Sequence, residues 1–203
     1  VYFDSSKDSQ GKATVSERTV KKKAVFFDRD GTLIIDKVYL NDPDQIVYLE
    51  GVFEALSSLR NAGFEFFIVT NQSGVARGIV SLENLDEIHR RMVVEFGRYG
   101  VTFKGIYHAP YSVESNHPMR KPNPGMLEAA DREHGVDMAR SWIVGDRMTD
   151  VVAGHRAGCR SVLLEGVDTP LKPDSETPTF VVADILSAAR AILEVDQATQ
   201  TSA

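Results

Sequence analysis

Apolar residues along this chain alternate between two patterns. Short apolar-rich runs at 24–27, 64–69, 103–107, 142–144 and 161–164 predict strands buried on both faces. Between them the spacing turns helical. Val52, Leu56 and Leu59 share one helical face, and Leu82, Leu85, Ile88, Met92 and Phe96 mark a longer amphipathic helix with Ser81 placed to cap it. A helix is predicted over 124–133, with Pro124 in its first turn, and another over 151–157, closed by Gly158. A sixth strand at 179–182 precedes a final helix around 185–193. Strand–helix alternation with such strands predicts an α/β three-layer sandwich around a mainly parallel sheet. The polar stretches 1–22 and 197–203 lack this periodicity, so a mobile leader and a mobile tail are expected to flank one domain at 23–196.

That fold class makes a prediction before any motif is read. In open parallel sheets the ligand sits beyond the carboxyl ends of the strands. Function is therefore expected just after the first, second and fourth strands, at Asp28-Arg29-Asp30, Thr70-Asn71-Gln72 and Gly145-Asp146-Arg147.

Composition narrows the picture only at the edges. The formal net charge of −6 argues against a nucleic-acid binder, which would present a basic face. It leaves a phosphorylated small molecule open, because a ligand feels the local field of its site. The single cysteine, Cys159, can form neither an internal disulfide nor a thiolate zinc site. No apolar run approaches the roughly 18 to 20 residues of a membrane span. A monomeric, cytoplasmic protein is expected.

Four segments carry chemistry. In Asp28-Arg29-Asp30-Gly31-Thr32 two carboxylates follow a buried strand. Their repulsion is relieved by a hard cation such as Mg2+, which prefers oxygen ligands. In Thr70-Asn71-Gln72-Ser73-Gly74 a hydroxyl and amides at a strand end suit phosphate oxygens, with the backbone able to approach at Gly74. In Arg120-Lys121-Pro122-Asn123-Pro124 adjacent cations precede a helix N-terminus, where exposed N–H groups favour an anion. In Gly145-Asp146-Arg147-Met148-Thr149-Asp150 Asp146 ends a strand as Asp28 does. It offers another metal oxygen, while Asp150 lies one turn on. Each segment alone also fits a bland role as a polar turn or a helix cap.

In this order the four segments resemble the four motifs of haloacid dehalogenase (HAD) phosphatases, over roughly residues 23–165. DRDGTL, TNQSGVARG, RKPNPGML and GDRMTD resemble the histidinol-phosphatase and heptose-bisphosphate-phosphatase branch, which lacks a large cap domain. The stretches 32–52 and 74–106 are too short for one. The resemblance implies Asp28 as the nucleophile, with Mg2+ held by Asp28, the Asp30 backbone carbonyl and Asp146. It implies the Asp30 side chain as acid and base, and Thr70 and Lys121 on the transferring phosphoryl group. Arg120, Arg147, Asn71, Gln72, Ser73, Asp36 and Tyr39 would contact substrate, Arg29 would meet phosphate through its backbone N–H, and Asp150 would orient the site. Many members of the branch carry a zinc loop of three Cys and one His before the third motif. Here Ala109, Tyr111, His117 and Met119 stand at those positions, so no structural zinc is expected.

The leading expectation is hydrolysis of a small phosphorylated sugar, D-glycero-D-manno-heptose 1,7-bisphosphate at its 7-position. Histidinol phosphate, a nucleic-acid 3′-phosphate, phosphoryl transfer to a sugar, and a non-catalytic phospho-ligand module on the same fold stay open at this stage.

Overall fold

A computed structural model describes residues 21–166 and 176–201. Its centre is a six-stranded, all-parallel sheet built from β1 (Ala24–Phe27), β2 (Glu65–Asn71), β3 (Phe103–Ala109), β4 (Trp142–Gly145), β5 (Arg160–Leu164) and β6 (Phe180–Val182). The strand order is β3-β2-β1-β4-β5-β6. The chain winds outward from β1 through β2 to β3, then restarts on the other side of β1 with β4. The β1/β4 seam is thus the topological switch point, where a parallel sheet opens a crevice at its carboxyl edge.

Alternation along the central strands builds two cores. Val25, Phe27, Phe66 and Ile68 face one layer, against α1 (Val52–Asn61), α3 (Leu82–Arg98) and α6 (Ile185–Thr201). Ala24, Phe26, Phe67 and Val69 face the other, against α4 (Gly125–His134) and α5 (Met148–Arg156). Phe26 and Phe67 stack at 5.1 Å between ring centroids. All four β1 side chains are fully buried, each stabilising by about 1.5–3 kcal/mol for the larger residues. That burial fixes Asp28 at the strand's end. The connections 28–51 and 72–81 hold only short turns, a single 3-10 turn (Pro43–Gln45) and the brief α2 (Ser73–Ala76), so no cap domain covers the carboxyl edge among the described residues.

Several expectations shift in detail. Leu82, expected on the apolar stripe of α3, is 52% exposed; it opens the helix, where the stripe has not yet met the sheet. Ser81 does cap that helix, accepting from the Asn84 N–H at 3.1 Å. His89 instead joins the buried stripe. Pro124 is the N-cap of α4 rather than its first turn. The last helix runs on to Thr201, through residues expected as a tail. It is tied down by Asp196, which accepts from both Lys23 Nζ at 2.6 Å and Gln200 Nε2 at 2.7 Å. Of the expected leader, residues 1–20 lie outside the described residues. Lys21 and Lys22 are bonded into the domain, through Asp131 Oδ1 at 3.0 Å and the Gly135 carbonyl at 3.3 Å. Of the expected tail, residues 202–203 lie outside the described residues.

Candidate active site

Asp28 leaves β1 with its N–H still bonded to the Val144 carbonyl of β4 at 2.9 Å. This last rung brings the ends of the two strands together. Carboxylate oxygens of Asp28, Asp146 and Asp150 lie within 4.8 Å of one another, all three residues buried. Two glycines make that approach possible. At Gly31, φ is +76° and a Cβ would run into the Asp146 carboxylate. A Cβ at Gly145 would run into Asp150. Only glycine accommodates the first of these without strain.

Three buried carboxylates repel one another, and one cation answers them from within the chain. Lys121, 2% exposed, places Nζ 2.8 Å from Asp28 Oδ1, 2.6 Å from Asp150 Oδ1 and 2.7 Å from the Val69 carbonyl. Burial opposes its charge, but Asp150 and Asp28 more than compensate, and its pKa rises. The charge count still leaves a deficit at Asp146. Its Oδ1 is buried without a hydrogen-bond partner among the described residues, and the Arg147 guanidinium stands 4.0 Å away. Burial, then Asp28 and Asp150, push the Asp146 carboxyl up to about 7. Asp150 moves the same way, raised by burial. Clustered hard oxygens, of which Asp146 Oδ1 and Asp150 Oδ1 accept no hydrogen bond among the described residues, match the donor set of a divalent cation.

Asp30 belongs to a different network. Its carboxylate accepts from Arg29 Nε at 3.0 Å and Nη2 at 3.1 Å, and from Gln72 Nε2 at 2.9 Å. Burial raises its pKa against the opposing pull of Arg29. Gln72 Nε2 also donates to the Thr70 hydroxyl at 2.9 Å. That leaves the hydroxyl proton of Thr70 free to point elsewhere.

Asp28, Asp30, Asp36, Tyr39, Thr70, Asn71, Gln72, Ser73, Gly74, Arg120, Lys121, Arg147 and Asp150 line one pocket, along with Val38 and Thr149, which the sequence did not single out. Position does not equal contact for all of them. The Asn71 amide is spent on the Lys121 backbone, giving to its carbonyl and accepting from its N–H, both at 3.0 Å. The Arg29 side chain is 1% exposed and turns from the pocket towards His89 on α3. At the rim, Arg147 Nη2 reaches Asp36 Oδ2 at 3.1 Å, and Arg120 Nη1 donates to the Tyr111 carbonyl at 3.0 Å. The loop at 107–119 is held by aromatic contact. Tyr111 and His117 stack at 3.5 Å, and His117 Nδ1 accepts from the Met119 N–H at 3.1 Å.

A parallel sheet with carboxylates and a buried lysine at its switch point defines a phosphohydrolase of the HAD type. Comparison agrees. A family profile described as HAD-hydrolase-like matches residues 118–188. The D-glycero-beta-D-manno-heptose-1,7-bisphosphate 7-phosphatase of Vibrio cholerae is 38% identical over 170 residues, covering 80% of this chain and 91% of the relative. The enzyme of the same name from Escherichia coli K12 is 34% identical over 171 residues, covering 81% and 90%. The crystal structure of D,D-heptose 1,7-bisphosphate phosphatase from B. bronchiseptica, complexed with magnesium and phosphate, superposes with a TM-score of 0.78 at 30% identity, covering 85% of this chain and 99% of that one. This chain belongs to the heptose-1,7-bisphosphate 7-phosphatase family of HAD-like hydrolases, and it is a phosphatase.

Proposed function

We propose that the chain hydrolyses D-glycero-D-manno-heptose 1,7-bisphosphate at the 7-position, through a phosphoenzyme on Asp28. The observation that carries the chemistry is the joint hold of Lys121 on Asp28 and Asp150 at the β1/β4 seam. The substrate follows from the relatives, which match along most of their length.

In this reading Asp28 attacks phosphorus in line and the bond to the sugar oxygen breaks. Lys121 fixes one Asp28 oxygen, so the carboxylate is aimed before substrate arrives. Asp30 gives its proton to the leaving oxygen. It then takes one from the water that cleaves the aspartyl-phosphate, returning Asp28 and releasing phosphate. Its raised pKa favours the protonated form that the first step requires. The free Thr70 proton and the Lys121 ammonium hold phosphoryl oxygens as charge builds. Magnesium fits the unsatisfied Asp146 oxygen. Asp28, Asp146 and the Asp30 backbone carbonyl would hold it, with Asp150 either orienting them or adding an oxygen. When bound it supplies neutralising charge between a carboxylate nucleophile and a phosphate dianion. Arg120, Arg147, Asp36, Tyr39 and Ser73 face the remainder of the sugar. The acidic net charge of −6 supports a small, diffusible substrate over nucleic acid.

The test is phosphate release from heptose 1,7-bisphosphate, histidinol phosphate, other sugar phosphates and 3′-phosphorylated oligonucleotides, each with magnesium and with chelator. Metal-dependent preference for the bisphosphate is expected. Preference for histidinol phosphate would keep the chemistry and replace the substrate, and no release from any ester would overturn the reading.

A further inference from the structure

His89 is an odd member of the buried stripe of α3. It is 7% exposed and does not line the pocket. Its one hydrogen-bond partner among the described residues is Arg29, with Nε2 3.3 Å from Nη1. A guanidinium has only donors. The imidazole must therefore accept at Nε2, which makes it neutral with its proton on Nδ1. Beside it lies the His108 ring, 5.7 Å between centroids. The arrangement is self-consistent, because burial, Arg29 and His108 lower the His89 pKa to about 3.

The other edge of the same guanidinium grips Asp30 through Nε and Nη2. A planar fork held at one edge by a carboxylate and at the other by an acceptor cannot tilt. We propose that His89 is a positioning residue for the acid–base step: it locks Arg29, and Arg29 locks the rotation of the Asp30 carboxyl towards the leaving oxygen. This rests on the reading of Asp30 given above. Without an acceptor at position 89, a buried Arg29 N–H loses its partner. The fork then turns to find another, and the carboxyl turns with it.

Leaving-group dependence separates this role from simple packing. A 4-nitrophenolate leaves unaided, whereas a sugar alkoxide needs a proton. kcat/KM reports phosphoryl transfer from the substrate rather than the later hydrolysis of the phosphoenzyme. His89→Leu fills the space without an acceptor. With magnesium present it is expected to lower kcat/KM about tenfold on a primary sugar phosphate, and less than about twofold on 4-nitrophenyl phosphate. His89→Gln, whose amide oxygen reaches the Nε2 position, should recover most of the loss. His89→Asn, which reaches only the Nδ1 position, should not, and this pair carries the test if His89→Leu fails to fold. Asp30→Asn is the reference. If it is selective for the sugar ester while the His89 variants lose both activities equally, or neither, the positioning role is wrong. If Asp30→Asn shows no such selectivity, Asp30 is not the acid and both readings fall.

Discussion

The floor and the rim of the pocket are built on opposite principles. On the floor, Asp28, Asp146, Asp150 and Lys121 are buried and tied across β1, β4 and α5. At the rim, Arg147 and Asp36 are partly exposed and share one ion pair, and the loop beneath Arg120 is held by an aromatic stack and a few hydrogen bonds, most of them from partly exposed groups. Charges on the floor act at full strength because little water screens them. Charges at the rim are screened and can be exchanged at small cost to the fold. Chemistry is therefore expected to be rigidly specified at the floor, with substrate choice adjustable above it.

The sharpest break is on the floor. Asp28→Asn replaces the nucleophile with an amide of nearly the same shape. Turnover should fall by at least about 10⁴-fold in a phosphate-release assay while the melting temperature holds or rises, since one of three repelling charges is gone. Activity within tenfold of the parent chain would reject Asp28 as nucleophile. Lys121→Met tests the other side of the same charge balance. It leaves Asp28 and Asp150 buried without their cation, and a loss of about 3–5 kcal/mol in chemical denaturation is expected. Stability unchanged to within 1 kcal/mol would mean that water, not Lys121, compensates the carboxylates.

How much of this was legible in the sequence follows the same division. The alternation of strands and helices, with the strand-end rule, brings Asp28, Thr70 and Asp146 to one edge of the sheet because burial of β1, β2 and β4 leaves the chain no other exit. Contacts between side-chain tips were not legible. Nothing local says that the Asn71 amide will clasp the backbone of Lys121, 50 positions away, or that Arg29 will turn to His89, 60 positions away. The only signal for His89 was helical phase, since it lies four residues after Leu85 on the buried face of α3. A polar residue in that phase carries no signal of burial, because apolar residues define the stripe. Loop 107–119 is marked in the sequence by what it lacks, three thiols. Its stack of Tyr111 on His117 is a tertiary contact that spacing does not encode.

At the rim the effects should shrink and become substrate-dependent. Arg120 is half-buried, and burial lowers its pKa. Its Nη1 is occupied by the Tyr111 carbonyl, so its other donors are the ones that can reach a second phosphate. Arg120→Ala is expected to raise KM for the bisphosphate about tenfold, the worth of one charged hydrogen bond. For an aryl monophosphate, which lacks the second anionic group, the change should stay under about twofold. Equal changes for both substrates would move Arg120 from recognition to support of the loop.

The smallest effect concerns the metal-free floor and its pH dependence. The Asp146 carboxyl is pushed up to about 7, while an unfolded aspartate titrates near 3.9. A raised carboxylate pKa means that the folded state holds more protons, so stability falls as pH rises through the folded value. Asp150 and Asp30 shift in the same direction. His89 works oppositely: its pKa is depressed to about 3, so its contribution is lost as pH falls through the unfolded value of about 6.5, and His108 shifts in the same direction. Lys121, raised above 10.5, stays charged throughout. Between pH 6.5 and 8 the carboxylates outweigh His89 and His108, whose unfolded rings are still about half protonated at a pH of about 6.5, and with chelator present a net loss of about 0.5 kcal/mol is expected, on the order of a degree or two in melting temperature. Magnesium should cancel that loss at pH 8, because a bound cation replaces the proton that Asp146 would otherwise retain. A melting temperature flat across this window in chelator would show that the floor is not short of positive charge, and the contrast between floor and rim would then rest on burial alone.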